Sequence, residues 1–373
     1  MTLRIAMVLT GIAAWGAVRA SAQDPALVEA LAPVLMAEDR RAFDPAVLEQ
    51  ALANPDPAVR EAAALSVGRL GDRRGVPLLR AVLTDSADEV VADAFFAFGL
   101  LRDTAAVEPI IARLRAPDPL PPDAIAEAAT ALARIGGDKA SGFIAGMLTG
   151  ATDVARDRIP SFIPTALLDG WHLGARMPVA AMIHYTSDTS ADLRWRALYA
   201  LGRLRIPAAG RAVLNGLRDQ TPVIRETCAK WLTRQFADTA GVPAANARSE
   251  LVRALDDDQP GVRVNAAASL ATFADSGTST KLIPLLSDGD QNVRVAAASA
   301  LGLTGGDRAA QALDALFDKR DATWALRRAA LAALVRIDTA RFARRVAPWL
   351  ASGDPIDRIA ALGILSARRP GDL

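Results

Sequence analysis

The residue best placed to do chemistry in this chain is an arginine that returns at regular intervals. It stands at Arg60, Arg194, Arg225, Arg263, Arg294, Arg327 and Arg358, each time near the start of a segment with helical patterning. A positive charge there opposes the helix dipole, so a compensating acid is expected. Asp56, Asp219, Asp258, Asp290, Asp321 and Asp354 stand just upstream. Some of these can cap their own helix, and carboxylates in one repeat can pair with the arginine of the next. Bidentate guanidinium–carboxylate contacts would then form a ladder. Such a stripe could bind anions or peptides, but it recurs with the repeat itself, so a structural ladder is the preferred reading.

Other reactive groups are sparse. His172 and His184 are the only histidines and Cys228 the only cysteine. A tetrahedral histidine metal site needs more partners at suitable spacing. One cysteine excludes an intramolecular disulfide, and Cys228 falls in a column of small residues, where it reads as a buried substitute for alanine. Asp288-Gly289-Asp290-Gln291-Asn292 opens like a calcium loop, but Val293 takes the required glycine position and Ser299 the bidentate glutamate position. Neither a nucleophile elbow, a phosphate loop nor a zinc-protease motif occurs. No catalytic, cofactor-binding or metal-ligating residue is therefore assigned, and no cofactor is expected.

One local irregularity is aromatic. Both tyrosines, both histidines and Trp171, Trp195 and Trp231 lie between residues 171 and 231. Trp195 and Tyr199 are one helical turn apart, and Trp231 belongs to the next repeat. Their columns elsewhere hold mostly small, polar or charged residues such as Glu61 and Ser66, so these rings are expected off the main packing stripe. They are the candidate partner-binding residues, expected on the concave surface of the stacked helices. The competing reading is that they fill a gap left by a broken neighbouring repeat.

The elements that position these groups come from one returning unit. PAVREAAALSVGRLGD (Pro57–Asp72) comes back as PGVRVNAAASLATFAD (Pro260–Asp275) and QNVRVAAASALGLTGGD (Gln291–Asp307). Nine copies align with column zero at Val59, Val90, Ala124, Leu193, Ile224, Val262, Val293, Leu326 and Asp357. Column +4 is always small, from Ala63 to Ala361, and column +8 always large and apolar, from Val67 to Leu365. Zero, +4 and +8 share one helical stripe. Shorter amphipathic segments such as Val107–Arg115 alternate with these, and no strand pattern appears. Residues 23–42 read as an N-terminal capping helix and 43–373 as the repeat array. A degenerate copy falls near 153–175, where Pro160 and Pro164 are expected to break the helix.

The pattern V-R-x-x-A-A-x-x-L-G-x-L-G-D resembles HEAT repeats of the short bacterial type, also found in phycobilin-lyase-like proteins. The resemblance implies an all-α, armadillo-like fold: a right-handed α-solenoid of about ten helix pairs. That fold hosts many roles.

Residues 1–22 read as a secretory signal peptide: Arg4, an apolar Ile5–Val18 run, and an Ala20-Ser21-Ala22 cleavage site. The mature chain would then be periplasmic or secreted, with no membrane span once the signal is cleaved. Of 43 basic residues, Arg4 and Arg19 leave with the signal, so 41 face 42 acidic ones. That balance gives no broad attraction to phosphate and argues against a nucleic-acid partner. The leading expectation is an exported, non-catalytic scaffold for protein or peptide. The alternative is an accessory region of a cyclophilin-type peptidyl-prolyl isomerase, because some exported bacterial HEAT-repeat proteins that resemble this chain carry such a domain after the repeats. No residue here resembles its active site. A bilin lyase-like enzyme and a HEAT-type DNA glycosylase fit less well, given export, the packing role of Cys228 and the neutral charge.

Overall fold

The computed structural model describes residues 25–204 and 206–367. The expected signal segment, its cleavage site and residues 368–373 lie outside the described residues. Every regular element among the described residues is helical, and none is long and apolar enough to cross a membrane. The chain divides into two compact units, one ending at Met182 and one beginning at Ile183.

The first unit contains α1 (Pro25–Asp39), α2 (Pro45–Leu52), α3 (Pro57–Leu70), α4 (Val76–Ala81), α5 (Asp88–Leu101), α6 (Val107–Arg115), α7 (Pro122–Ile135), α8 (Gly137–Thr149) and α9 (Phe162–Asp169). Helices α3, α5, α7 and α9 pack side by side as one layer, backed by the shorter helices between them. A further helix, α10 (Val179–Tyr185), spans the point of division. The second unit repeats the plan with α11 (Ala191–Leu204), α12 (Gly210–Gly216), α13 (Pro222–Trp231), α14 (Arg234–Thr239), α15 (Ala244–Ala254), α16 (Pro260–Ala271), α17 (Ser279–Leu282), α18 (Gln291–Thr304), α19 (Asp307–Ala315), α20 (Trp324–Ile337), α21 (Thr339–Leu350) and α22 (Pro355–Ser366). Here α11, α13, α16, α18, α20 and α22 form the continuous layer. Each unit is thus a solenoid-type stack of helix pairs.

The columns explain the stacking. All nine side chains of column +4 are fully buried, including Ala63, Cys228 and Ala361. The +8 residues from Val67 to Leu334 are fully buried as well. Small residues let the layer helices approach until backbones touch. A Cβ placed on Gly68 would stand 2.7 Å from Ala97 Cα, and one on Gly302 would stand 2.7 Å from Ala333 Cα.

Helix starts follow local chemistry. Asp56, Asp290 and Asp354 accept backbone N–H bonds from the first turns of α3, α18 and α22. Proline occupies the first position of α3, α13, α16 and α22, where no N–H is needed. The end of α3 needs a left-handed residue, and Gly71 supplies it at φ 71°.

Residues 153–175 differ from the sequence expectation in one respect. Pro164 does not stop the helix there, because it falls in the first turn of α9, where its missing N–H has no helical acceptor. What shortens this copy is its flanks: a 3-10 turn at Arg156–Arg158, and a 3-10 segment, Gly170–Arg176, interrupted at Gly174 with φ 57°.

Candidate partner-binding face

The recurring arginine is a cross-link between consecutive turns. Arg194 Nη1 donates to the carbonyls of Asp188 and Thr189, which open its own helix, at 2.9 and 3.1 Å. Its Nε and Nη2 donate to Oδ2 and Oδ1 of Asp219, in the next turn, at 2.8 and 2.9 Å. Arg60 does the same with Asn54 O and Asp85, Arg225 with Asp219 O and Asp257, and Arg263 with Asp257 O and Asp288. Each bridging aspartate also accepts a backbone N–H two residues on, from Ala87, Thr221, Gln259 or Asp290. Arg60's fork, as the main influence, holds the Asp85 carboxyl below the usual range. For Asp219, Asp257 and Asp288, burial pushes the pKa up, but the arginine fork and the backbone N–H together outweigh it.

Two features differ from the sequence expectation. Arg60, Arg194, Arg225 and Arg263 reach forward to the acid of the following repeat, whereas the acids were expected to pair with the arginine of the repeat after them. The acids also differ in part. Asp219 and Asp258 take arginine, but Asp85, Asp257 and Asp288 carry the other bidentate contacts, while Asp56, Asp290 and Asp354 cap helices. The reason is geometric. Asp219, Asp257 and Asp288 each stand six residues before the next ladder arginine, in the turn whose carbonyls that arginine clamps; Asp85 keeps the spacing, though Val91 holds the ladder position there. The last three arginines hold carbonyls only: Arg294 on Asp288 O and Gly289 O, Arg327 on Lys319 O, and Arg358 on Ser352 O.

The three aromatic candidates come together across α11 and α13. The Trp195 and Tyr199 ring centroids are 5.5 Å apart, and those of Tyr199 and Trp231 are 6.4 Å apart, edge to face. All three are half-buried. Trp195 Nε1 donates to Thr227 Oγ1 at 3.0 Å, tying the band to the neighbouring helix. Arg203 donates to the Tyr199 hydroxyl and lies 5.8 Å over its ring. Trp231 departs from the expectation that it stands off the packing stripe. It lies flat on Gly202, where a Cβ would meet its ring at 2.6 Å. Its column is the one that elsewhere presents Ala97 or Ala333 to a facing glycine.

Sequence reasoning missed an acidic row in the first unit. Glu61, Asp93, Glu127 and Asp169 occupy adjacent helices of the layer and are half-buried. Burial, then Glu61 and Glu127, push Asp93 up to about 7. Burial, reinforced by Asp169 and Asp123 and opposed by Arg134, pushes Glu127 up to about 7. Only Asp93 and Glu127 share a column, so reading adjacent columns together across successive repeats is what would have revealed the row. Cys228 is fully buried, and burial raises its thiol pKa far above the usual value. His172 stacks on Trp171 at 3.7 Å, and His184 meets Tyr185 edge-on.

A family model for HEAT repeats matches residues 20–97, 248–334 and 279–366. A search of curated proteins finds no match. Among solved structures, Kap95p, seen with RanGDP, is similar with a TM-score of 0.60 at 16% identity, over 91% of this chain and 55% of its own. The karyopherin Kap121p, bound to the extreme C-terminus of the protein phosphatase Cdc14p, is similar with a TM-score of 0.50 at 14% identity, over 85% of this chain and 44% of its own. The chain thus spans about half the length of these two. At such identities the likeness shows the fold alone.

Proposed function

The chain belongs to the HEAT-repeat family, and from that premise we propose that it is an exported, non-catalytic scaffold that binds a protein or peptide segment. The binding surface is the concave face of its helix layer, centred on Trp195, Tyr199 and Trp231. The observation that carries this reading is the aromatic band itself. Three half-exposed rings bridge two successive repeats, with a hydroxyl, an indole N–H and the Arg203 guanidinium at their edges. Aromatic rings supply large contact area at low entropic cost and arginine a planar fork of donors, and these residue types are enriched in binding hot spots. Export rests on the pattern of residues 1–22. The Kap121p structure, bound to the extreme C-terminus of a protein phosphatase, supports the idea that a stack of this kind takes a segment of a partner protein.

The test is a crosslinking pull-down from periplasmic extract. It compares the chain with a Trp195→Ala/Tyr199→Ala/Trp231→Ala variant after circular dichroism shows both folded. Because Trp231 packs on Gly202, a Trp195→Ala/Tyr199→Ala variant is run beside it. A partner captured by the parent and lost from both variants supports the proposal. Equal capture returns the rings to packing.

A further inference from the structure

Four ladder forks are filled from within the chain, and three hold carbonyls only; of these, Arg294 has a lysine beside it where the acid would stand. Arg60, Arg194, Arg225 and Arg263 each set Nε and Nη2 on the two oxygens of an aspartate in the next turn, at 2.7 to 2.9 Å. Arg294 stands at the same point of α18. It uses Nη1 in the same way, on Asp288 O at 2.7 Å and Gly289 O at 3.2 Å. No carboxylate of the described residues pairs with its remaining nitrogens.

The cause lies in the turn before α20. Leu326 follows Val293 by 33 residues, whereas Val293 follows Val262 by 31. The two extra residues carry Asp321, which alignment alone would set at the bridging position, out of line. The carbonyl that Arg327 clamps belongs instead to Lys319, at 2.9 Å. Lys319 therefore stands where the other turns have the bridging aspartate. Its Nζ donates to Ser287 Oγ at 3.3 Å, on the turn whose carbonyls Arg294 already holds. Two cations share one turn. Asp288, the carboxylate that feels the charge of Arg294, is gripped through both oxygens by Arg263. Arg327 adds a third guanidinium, whose buried Nε has no acceptor.

We propose that Arg294 and Lys319 bind a carboxylate carried by an acidic peptide, which completes the ladder from outside. A guanidinium fork presents parallel N–H donors that match two coplanar oxygens, and Lys319 adds a point charge beside it. The filled rungs show the chemistry this position selects. Lys319 is exposed and Arg294 half-buried, so the pair is reachable yet less screened than two surface charges. The site lies on α18 and the turn before α20, apart from the aromatic band on α11 and α13, so it stands or falls separately from the scaffold reading.

The experiment titrates the full chain with hexaglutamate at fixed ionic strength, with hexalysine and inorganic phosphate as comparison ligands. Lys319→Asp supplies the missing acid internally. It is expected to raise the melting temperature and to weaken hexaglutamate binding at least about tenfold. Lys319→Gln should weaken binding without the stabilisation. Arg211→Gln, which removes an exposed charge from α12, should leave hexaglutamate affinity unchanged. The proposal is overturned if hexaglutamate binds no better than hexalysine, if phosphate competes charge for charge with hexaglutamate, or if both Lys319 variants bind as tightly as the parent.

Discussion

Asp219→Asn is the sharpest probe of the ladder. Asp219 accepts Nε and Nη2 of Arg194 and the backbone N–H of Thr221, all within 2.9 Å. The two side chains are 8% and 13% exposed, so the pair is largely desolvated. Removing one partner of a fully buried pair costs about 3–5 kcal/mol, mostly through the stranded charge. Here Arg194 keeps Asp188 O, Thr189 O and Thr221 Oγ1, and asparagine retains an acceptor for Thr221. The expected cost is therefore about 2 kcal/mol. For a unit of this size that is a fall of roughly 4–8 °C in melting temperature. The internal control is Asp258→Asn. Asp258 also meets a ladder arginine, Arg225, at 2.7 Å, but is 74% exposed, and Arg225 keeps Asp257. An exposed contact of that kind contributes less than about 0.5 kcal/mol. Thermal melts of the two variants at neutral pH decide the matter. Equal shifts, or a larger one for Asp258→Asn, would refute the view that burial of the fork sets its strength.

Three further outcomes follow from the same geometry. Asp93 and Glu127 have folded pKa values raised to about 7 from 3.8 and 4.5, so the folded first unit holds protons that the unfolded chain has released. Their contribution is fully present below pH 4 and lost as pH rises to about 7; stability should fall across that window, and Asp93→Asn/Glu127→Gln should flatten the profile. The ladder aspartates have the opposite sign, because lowered pKa values give stability that is lost only as pH falls below the usual carboxylate range. Gly302→Ala should destabilise by about 1–3 kcal/mol on denaturant melts despite alanine's helix propensity, since the new Cβ meets Ala333 at 2.7 Å. The Cys228 thiol should react with a disulfide reagent only at the rate of unfolding, because it is buried and its pKa is raised.

The packing plan was legible from the sequence because columns +4 and +8 repeat in phase with the helix, and a residue buried in every copy leaves a mark in every copy. The arginine column was legible for the same reason. Its partners were harder to assign. Asp257 and Asp258 are neighbours, as are Asp288 and Gly289-Asp290, and only the clamped turn decides which acid faces the fork. Trp231 was placed off the stripe because its column holds mostly small residues elsewhere. That very smallness marks the point of closest helix approach, and Gly202 makes room for the ring. The acidic row escaped notice because Glu61 and Asp93 sit one column apart. Different columns reach one surface where helices are offset, which no single-helix pattern records.

The central claim concerns which face of the stack meets the partner. A photoreactive phenylalanine at Trp195 tests it most directly, with the same residue at exposed Arg211 on α12 as the comparison. Irradiation in the exported compartment is predicted to give a discrete covalent adduct from position 195 and none from 211. Adducts from 211 alone, or from neither position, would contradict the account.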